Sequence, residues 1–305
     1  MTTLRALIIA SMMMTIFVSA PTGASGADQS TITLAFSADS LPGFNRNDVR
    51  AAIKVWSDTI VKELNYKESA KVIIYDSFSQ LEKDWAAEKI QNLTLTAKEL
   101  DHLKTAPESI FVNMVDGNLH MKYVVVARRD SNFASLKDLK GRTLILAEGF
   151  RMSLAKPWLD SLLIEQTGSL LTDWFYSVAT TSKISETVLK TFFKQADAAL
   201  LSLEAFKIAT ELNPQLDRDL VVLYESPPFI PAFGIIHPSW ERSSRQSLEK
   251  TILNLHSTPA GQQVLTVFQS SRMEKLPGSA LAETMAFVHN YKKQQEKLSV
   301  GKQQP

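Results

Sequence analysis

The side chains able to do chemistry fall in the short junctions that follow expected strands. They are Ser37, Asp39 and Ser40; Thr94 and Thr96; Phe150, Arg151 and Ser153; Thr181, Ser182 and Lys183; Asp197; and Ser202 with Glu204. In open α/β sheets such junctions stand outside the carboxyl ends of the strands, where ligands bind. Helix starts there expose unpaired N–H groups that suit an oxyanion. Arg151 at such a start can hold a carboxylate or phosphate through two parallel hydrogen bonds, or it can stand as a solvated surface cation. The Ser and Thr residues are more often plain N-caps than ligand contacts. Asp197 can accept from a ligand hydroxyl or amine, or fix a loop, and Phe150 can line a cleft. Arg151 and Lys183 each follow a strand by a few residues, which puts both on one rim. Opposite them Ser37, Ser40, Thr94 and Thr96 offer neutral donors. The combination favours a small anion (a phosphate ester, a phosphonate or a carboxylate) over a cation or a plain sugar.

Other chemistries lack their residues. The chain has no Cys, so disulfides, thiolate metal sites, a Cys nucleophile and a lipid-modified Cys are all excluded. The five histidines, His102, His120, His237, His256 and His289, are scattered without metal-ligand spacing. No metal or cofactor is expected, and no Gly-rich phosphate loop or nucleophile elbow occurs. Catalysis would rest on Asp39, Asp197 and Glu204, and would need two of them about 5–9 Å apart across a cleft. Ordinary solvated loop acids explain them better.

The first 27 residues stand apart. Arg5 precedes an apolar run of 15 residues, Ala6 to Ala20, and Ser25-Gly26-Ala27 follows as a small-residue cleavage site. The run is short for a membrane span, which takes about 20 residues. A cleaved signal peptide over 1–27 and a periplasmic location follow as expectations. Its removal takes one of 33 basic residues and none of 32 acidic ones, leaving 32 of each. That balance offers no nucleic-acid surface. The remaining 278 residues suit two domains.

Hydrophobic patterning supplies the elements that would position the junctions. Strands are expected at 31–36, 71–75, 90–95, 109–115, 123–129, 143–147, 173–178, 196–201 and 220–224. Helices are expected at 47–64, 78–89, 151–167 and 204–212, with one carrying Ile184 to Phe193. Val49, Ala52, Ile53, Trp56 and Ile60 fall on one helical face. Thr96 to Glu99 forms a capping box. Runs 109–115 and 123–129 could pair through a turn at 116–118. Thr143 to Ala147 is apolar throughout, as for a strand covered on both faces. The stretch from Ser244 to Asn290 reads as mostly helical, and the polar tail from Lys292 should fray. The alternation predicts an α/β protein of two lobes, each a mostly parallel sheet flanked by helices.

Certain segments resemble type II periplasmic solute-binding proteins. Ser135-Leu136-Lys137-Asp138-Leu139-Lys140-Gly141-Arg142 is similar to the turn that leads from the interdomain crossing into the second lobe of that fold. Ser226-Pro227-Pro228-Phe229-Ile230-Pro231 resembles the return crossing, Ala196-Asp197-Ala198-Ala199 a strand of the phosphate/phosphonate-binding branch, and Thr258-Pro259-Ala260-Gly261-Gln262 a late helix junction. The resemblance implies two crossings, with lobe 1 over 28–124 and 228–305 and lobe 2 over 125–227. It implies a monomer that is the binding component of an ABC importer, not an enzyme, with a membrane permease as partner. A periplasmic sensor coupled to a membrane signalling protein, or an enzyme on the same fold, remain the alternatives. Phe150-Arg151-Met152-Ser153 departs from that branch's Ser-Thr-Ser-Gly loop, Thr181-Ser182-Lys183 from its His loop, and the Gly before the Asp-Ala-Ala strand is absent. The fold therefore carries over better than phosphonate specificity.

Overall fold

The computed structural model describes residues 31–63, 70–115, 117–149 and 151–301. The expected signal segment over 1–27 and Phe150 lie outside them.

Strands and helices alternate first as β1 (Thr33–Ser37), α1 (Arg46–Glu63), β2 (Lys71–Tyr75), α2 (Phe78–Ala86), β3 (Asn92–Thr96), α3 (Ala97–Leu103) and β4 (Ser109–Met114). Next come β5 (Tyr123–Arg128), β6 (Thr143–Ala147), α4 (Ala155–Thr167), α5 (Leu171–Trp174), β7 (Ser177–Thr181), α6 (Ile184–Phe192), β8 (Ala198–Ser202), α7 (Leu203–Leu212), α8 (Pro214–Asp219) and β9 (Leu220–Glu225). The chain ends with β10 (Ala232–Ile236), α9 (Arg242–Leu253), α10 (Pro259–Val267), β11 (Arg272–Pro277) and α11 (Ala282–Gly301). One sheet has the order β11-β4-β10-β3-β1-β2 and the other β7-β6-β8-β5-β9. Each sheet is the centre of one lobe.

Both sheets are mixed, and in each most strands run in one direction, as expected. β1 is parallel to β2 and β3, and β6 to β7 and β8. The strands nearest the crossings break the pattern: β10 inserts antiparallel between β3 and β4, and β5 antiparallel between β8 and β9. A strand entering from the other lobe arrives pointing the opposite way.

Period-2 alternation fills both faces. Leu34 and Phe36 pack toward α1 and α10, while Ala35 joins Leu81 and Trp85 on the other face. In the second sheet Val124 and Val126 face Val188 and Phe206, while Tyr123 and Val125 share a cluster with Trp158. Double coverage explains why these strands read as unbroken apolar runs. The cluster holding Tyr123 also holds Leu93, Leu95, Phe229 and Ile230, so one core runs through both lobes.

The two crossings pair with each other. Met121 N–H donates to the Phe229 carbonyl (2.7 Å) and Phe229 N–H to the Met121 carbonyl (2.9 Å). Tyr123 N–H donates to Ser226 Oγ (2.8 Å). Pro227, Pro228 and Pro231 keep the return segment extended.

Other expectations need correcting. Strands β4 and β5 do not pair: β4 lies beside β10 and β11, and β5 is held in the other sheet. Tyr123 to Ala127 is buried throughout and needs the covered slot between β8 and β9. The strand expected at 173–178 begins only at Ser177, and residues 173–176 belong to α5 and the turn after it. Asp160 Oδ1 accepts Leu171 N–H (2.7 Å) and starts α5, and Trp174 Nε1 donates to the Leu136 carbonyl (2.9 Å), so these aromatics anchor a turn. Strand β11, an edge strand paired antiparallel with β4, was hidden by its charges. The tail from Lys292 continues α11 to Gly301, because side chains of α11 bond to α3 and α4.

Candidate functional site

A cavity of about 330 Å³ opens between the lobes. Gly43, Phe44, Phe268 and Gln269 face it from the first lobe, and Glu148, Arg151, Ser182, Ser202 and Glu204 from the second. The lobes touch at its edge. A Cβ added to Gly43 would lie 3.9 Å from Gly149 Cα and 3.9 Å from Ser182 Cβ, and Gly43 has φ +78°.

Arg151 is placed by backbone geometry, not by a helix. Gly149 (φ 153°) and Arg151 (φ 70°) are incompatible with helical continuation, so α4 begins only at Ala155, which corrects its expected start. Tyr123 holds the turn: its hydroxyl donates to the Arg151 carbonyl at 2.6 Å. Burial pushes the Tyr123 phenol well above its ordinary pKa, so it stays a donor. The Arg151 side chain is 4% exposed, and Nη1 lies 3.6 Å from Met121 Sδ on the outward crossing. A guanidinium keeps its charge in such surroundings.

Glu204 enters from the first turn of α7, where a carboxylate is favoured by the helix dipole. Its Oε2 is buried and has no hydrogen-bond partner among the described residues. Ser202 caps α7 by accepting Ala205 N–H (3.3 Å) while lining the cavity. Ser182 lines it from the loop before α6.

The remaining expected residues are not brought there. Ser37 Oγ donates to Glu99 Oε2 (2.7 Å), and Thr96 gives that oxygen both its N–H (2.8 Å) and its hydroxyl (2.9 Å). Burial raises the Glu99 carboxyl above its ordinary range, against the pull of these donors. Ser40 Oγ donates to the Ser37 carbonyl (2.7 Å). Thr94 lines a separate, mostly apolar void of about 60 Å³ inside the first lobe. Asp39 is exposed outside the cavity lining. Ser153 Oγ donates to the Pro231 carbonyl on the return crossing (3.3 Å). Thr181 Oγ1 donates to Glu186 Oε2 (2.7 Å) and accepts Lys183 N–H (3.2 Å). Lys183 is exposed and does not line the cavity. Asp197 lies at the start of β8, where Oδ2 accepts the Thr143 N–H and hydroxyl, both at 2.8 Å. Asp197 and Glu204 thus flank opposite ends of a five-residue strand, on the order of 17 Å or more apart at 3.3 Å per residue, and form no carboxylate pair.

Two mixed α/β sheets, joined by paired crossings around a cleft, define the two-lobed fold of periplasmic binding proteins. The chain belongs to the family of ABC transporter, phosphonate, periplasmic substrate-binding proteins, whose model matches residues 40–279. Members are substrate-binding components of transporters and not enzymes, which implies a periplasmic location and an ABC permease as partner. No curated protein matches the sequence. Among solved structures, a Xanthomonas citri protein bound to chloride ion is similar with a TM-score of 0.62 at 17% identity, over 87% of this chain and 99% of that one. PhnD1 from Prochlorococcus marinus, in complex with methylphosphonate, gives 0.57 at 16% identity, over 87% and 99%. A binding protein component of an ABC phosphonate transporter from Pseudomonas aeruginosa gives 0.56 at 12% identity, over 88% of both chains. At these identities the structural likeness speaks for the fold alone.

Proposed function

We propose that this chain captures a small solute bearing both an anionic and a cationic group, and delivers it to an ABC permease after export through a signal peptide over 1–27. The observation that carries this reading is a buried guanidinium, Arg151, and a buried carboxylate oxygen of Glu204 with no donor among the described residues, both lining one interlobe cavity. Buried polar atoms in folded proteins are almost always satisfied, and an orphan at a cleft is a place for a ligand donor. The cavity side chains sum to −1, Arg151 against Glu148 and Glu204, which suits a pure anion poorly. An aminoalkylphosphonate offers oxygens to Arg151, Ser182 and Ser202 and an ammonium to Glu204. A volume near 330 Å³ is at the lower end for small-molecule pockets, which suits a ligand of this size. Of Asp39, Asp197 and Glu204, the acids that a catalytic reading would use, only Glu204 faces the cavity, which favours capture and release as the work of the site.

The test is calorimetric titration and thermal melting with methylphosphonate and with an aminoalkylphosphonate. Ligand at 100 times its Kd adds about 2.7 kcal/mol to stability, which raises the melting temperature by roughly 5–10 °C for a chain of this size. Binding of the aminoalkylphosphonate above methylphosphonate is expected. Binding of neither, with tight binding of a neutral sugar, overturns the reading.

A further inference from the structure

Helix α11 belongs by sequence to the first lobe, following β11, yet it contacts both α3 of that lobe and α4 of the other. Its hold on the first lobe is Asp101 of α3, which receives His289 Nε2 at 2.7 Å and Lys292 Nζ at 2.9 Å. Its hold on the second is α4. Tyr291 Oη donates to Asp160 Oδ2 at 3.0 Å, and Gln294 Nε2 to Glu165 Oε1 at 2.9 Å. N-terminal to both sets of contacts, α11 lies on the return crossing. Thr284 Oγ1 accepts Ile230 N–H (3.0 Å), and the Phe287 ring sits 4.7 Å from that of Phe229.

We propose that α11 is a strap that holds the two lobes in the closed arrangement, and that its contacts with α4 are the part that lets go when the lobes open. Hinge rotation of one lobe against the other changes the distance between Asp101 and Asp160. A continuous helix is too stiff to absorb that change, so one set of contacts must break. The Asp160 contact is specific: this carboxylate is fully buried and also fixes Leu171 N–H (2.7 Å) and Lys156 Nζ (2.8 Å), so it cannot follow Tyr291. The arrangement being held is the one in which Gly43 meets Gly149 and Ser182 across the cleft.

The inference needs no particular ligand, so its test runs on the free protein and is separate from the capture reading. The chain has no Cys, so Cys introduced at exposed Glu82 and Lys207, one per lobe, takes spin labels at those sites alone. Electron–electron distance measurements are then made on the parent, Tyr291→Phe and Gln294→Glu. The last places a like charge against exposed Glu165 from a half-buried position, and a melting curve of each variant identifies those that fold. A longer-distance population, absent or minor in the parent and dominant in the variants, is the expected result. Distance distributions identical to the parent in the variants, with or without a lowered melting temperature, overturn the strap and leave α11 as packing alone.

Discussion

Replacing Glu204 with Gln separates the two halves of the proposed ligand. Gln keeps the shape and one acceptor oxygen but removes the charge. Losing one partner of a desolvated charge pair costs about 2–5 kcal/mol, while a solvated surface pair is worth only about 0–1 kcal/mol. Glu204 is only partly buried as a residue although its Oε2 is sealed, so the expected loss falls between these, roughly 1.5–3 kcal/mol. At 1.4 kcal/mol per decade this is about a 10- to 150-fold weaker Kd for an aminoalkylphosphonate. Methylphosphonate has no ammonium to lose, and its affinity should stay within about twofold or tighten as a nearby negative charge disappears. Calorimetric titration of both ligands into both proteins gives the four numbers. An equal loss for the two ligands, or an unchanged aminoalkylphosphonate affinity, would refute the assignment of Glu204 to a cation. It would leave the importer reading standing.

Three further outcomes are expected. Arg151→Ala should lose roughly 2–5 kcal/mol of binding for both phosphonates, whereas Lys183→Ala should change the titration by less than about twofold, because Lys183 points outside the cavity. Burial lowers the pKa of His237 from 6.5, its Nε2 facing the Trp85 carbonyl at 3.1 Å and its Nδ1 accepting Ser239 N–H. The unfolded chain therefore takes up the proton first as pH falls. The contribution is present above pH 6.5 and lost below it, so His237→Gln should flatten the melting-temperature decline between neutral and acid pH. Gly261→Ala would ordinarily gain about 1 kcal/mol in a helix, but here the new Cβ would meet the Leu255 carbonyl oxygen at 2.1 Å and Leu255 Cα at 2.6 Å. Backbone cannot step aside cheaply, so overpacking of about 1–3 kcal/mol or more wins and thermal melting should show a net loss.

The fold was legible wherever a local pattern and its tertiary use agree. Val49 to Ile60 shows a single buried face because α1 has one sheet to cover, and Thr143 to Ala147 shows an unbroken apolar run because β6 has two. The candidate site's cavity lining was legible only on the second-lobe side, where Arg151, Ser182 and Ser202 follow their strands by a few residues. Even there the conformation was hidden: the left-handed turn at Arg151 is fixed by a phenol 28 residues earlier. The first-lobe wall was beyond reach of local reading, since Gly43 and Phe268 meet only through tertiary packing. Ser37 and Thr96 teach a different lesson. The sequence Thr96-Ala97-Lys98-Glu99 already announced a capping box, and in the structure one oxygen of Glu99 takes both hydroxyls. The cap uses the Thr96 oxygen only as acceptor of Glu99 N–H; its single proton goes to Glu99 Oε2, a bond that the capping pattern does not require and the structure supplies. Glu204 reverses the logic: its position near the helix start reads as a dipole partner that asks nothing of a ligand, yet its Oε2 is sealed from solvent with no donor among the described residues. Which hydrogen bonds are already spent, and which remain to be made, decides the site, and that accounting requires the tertiary structure.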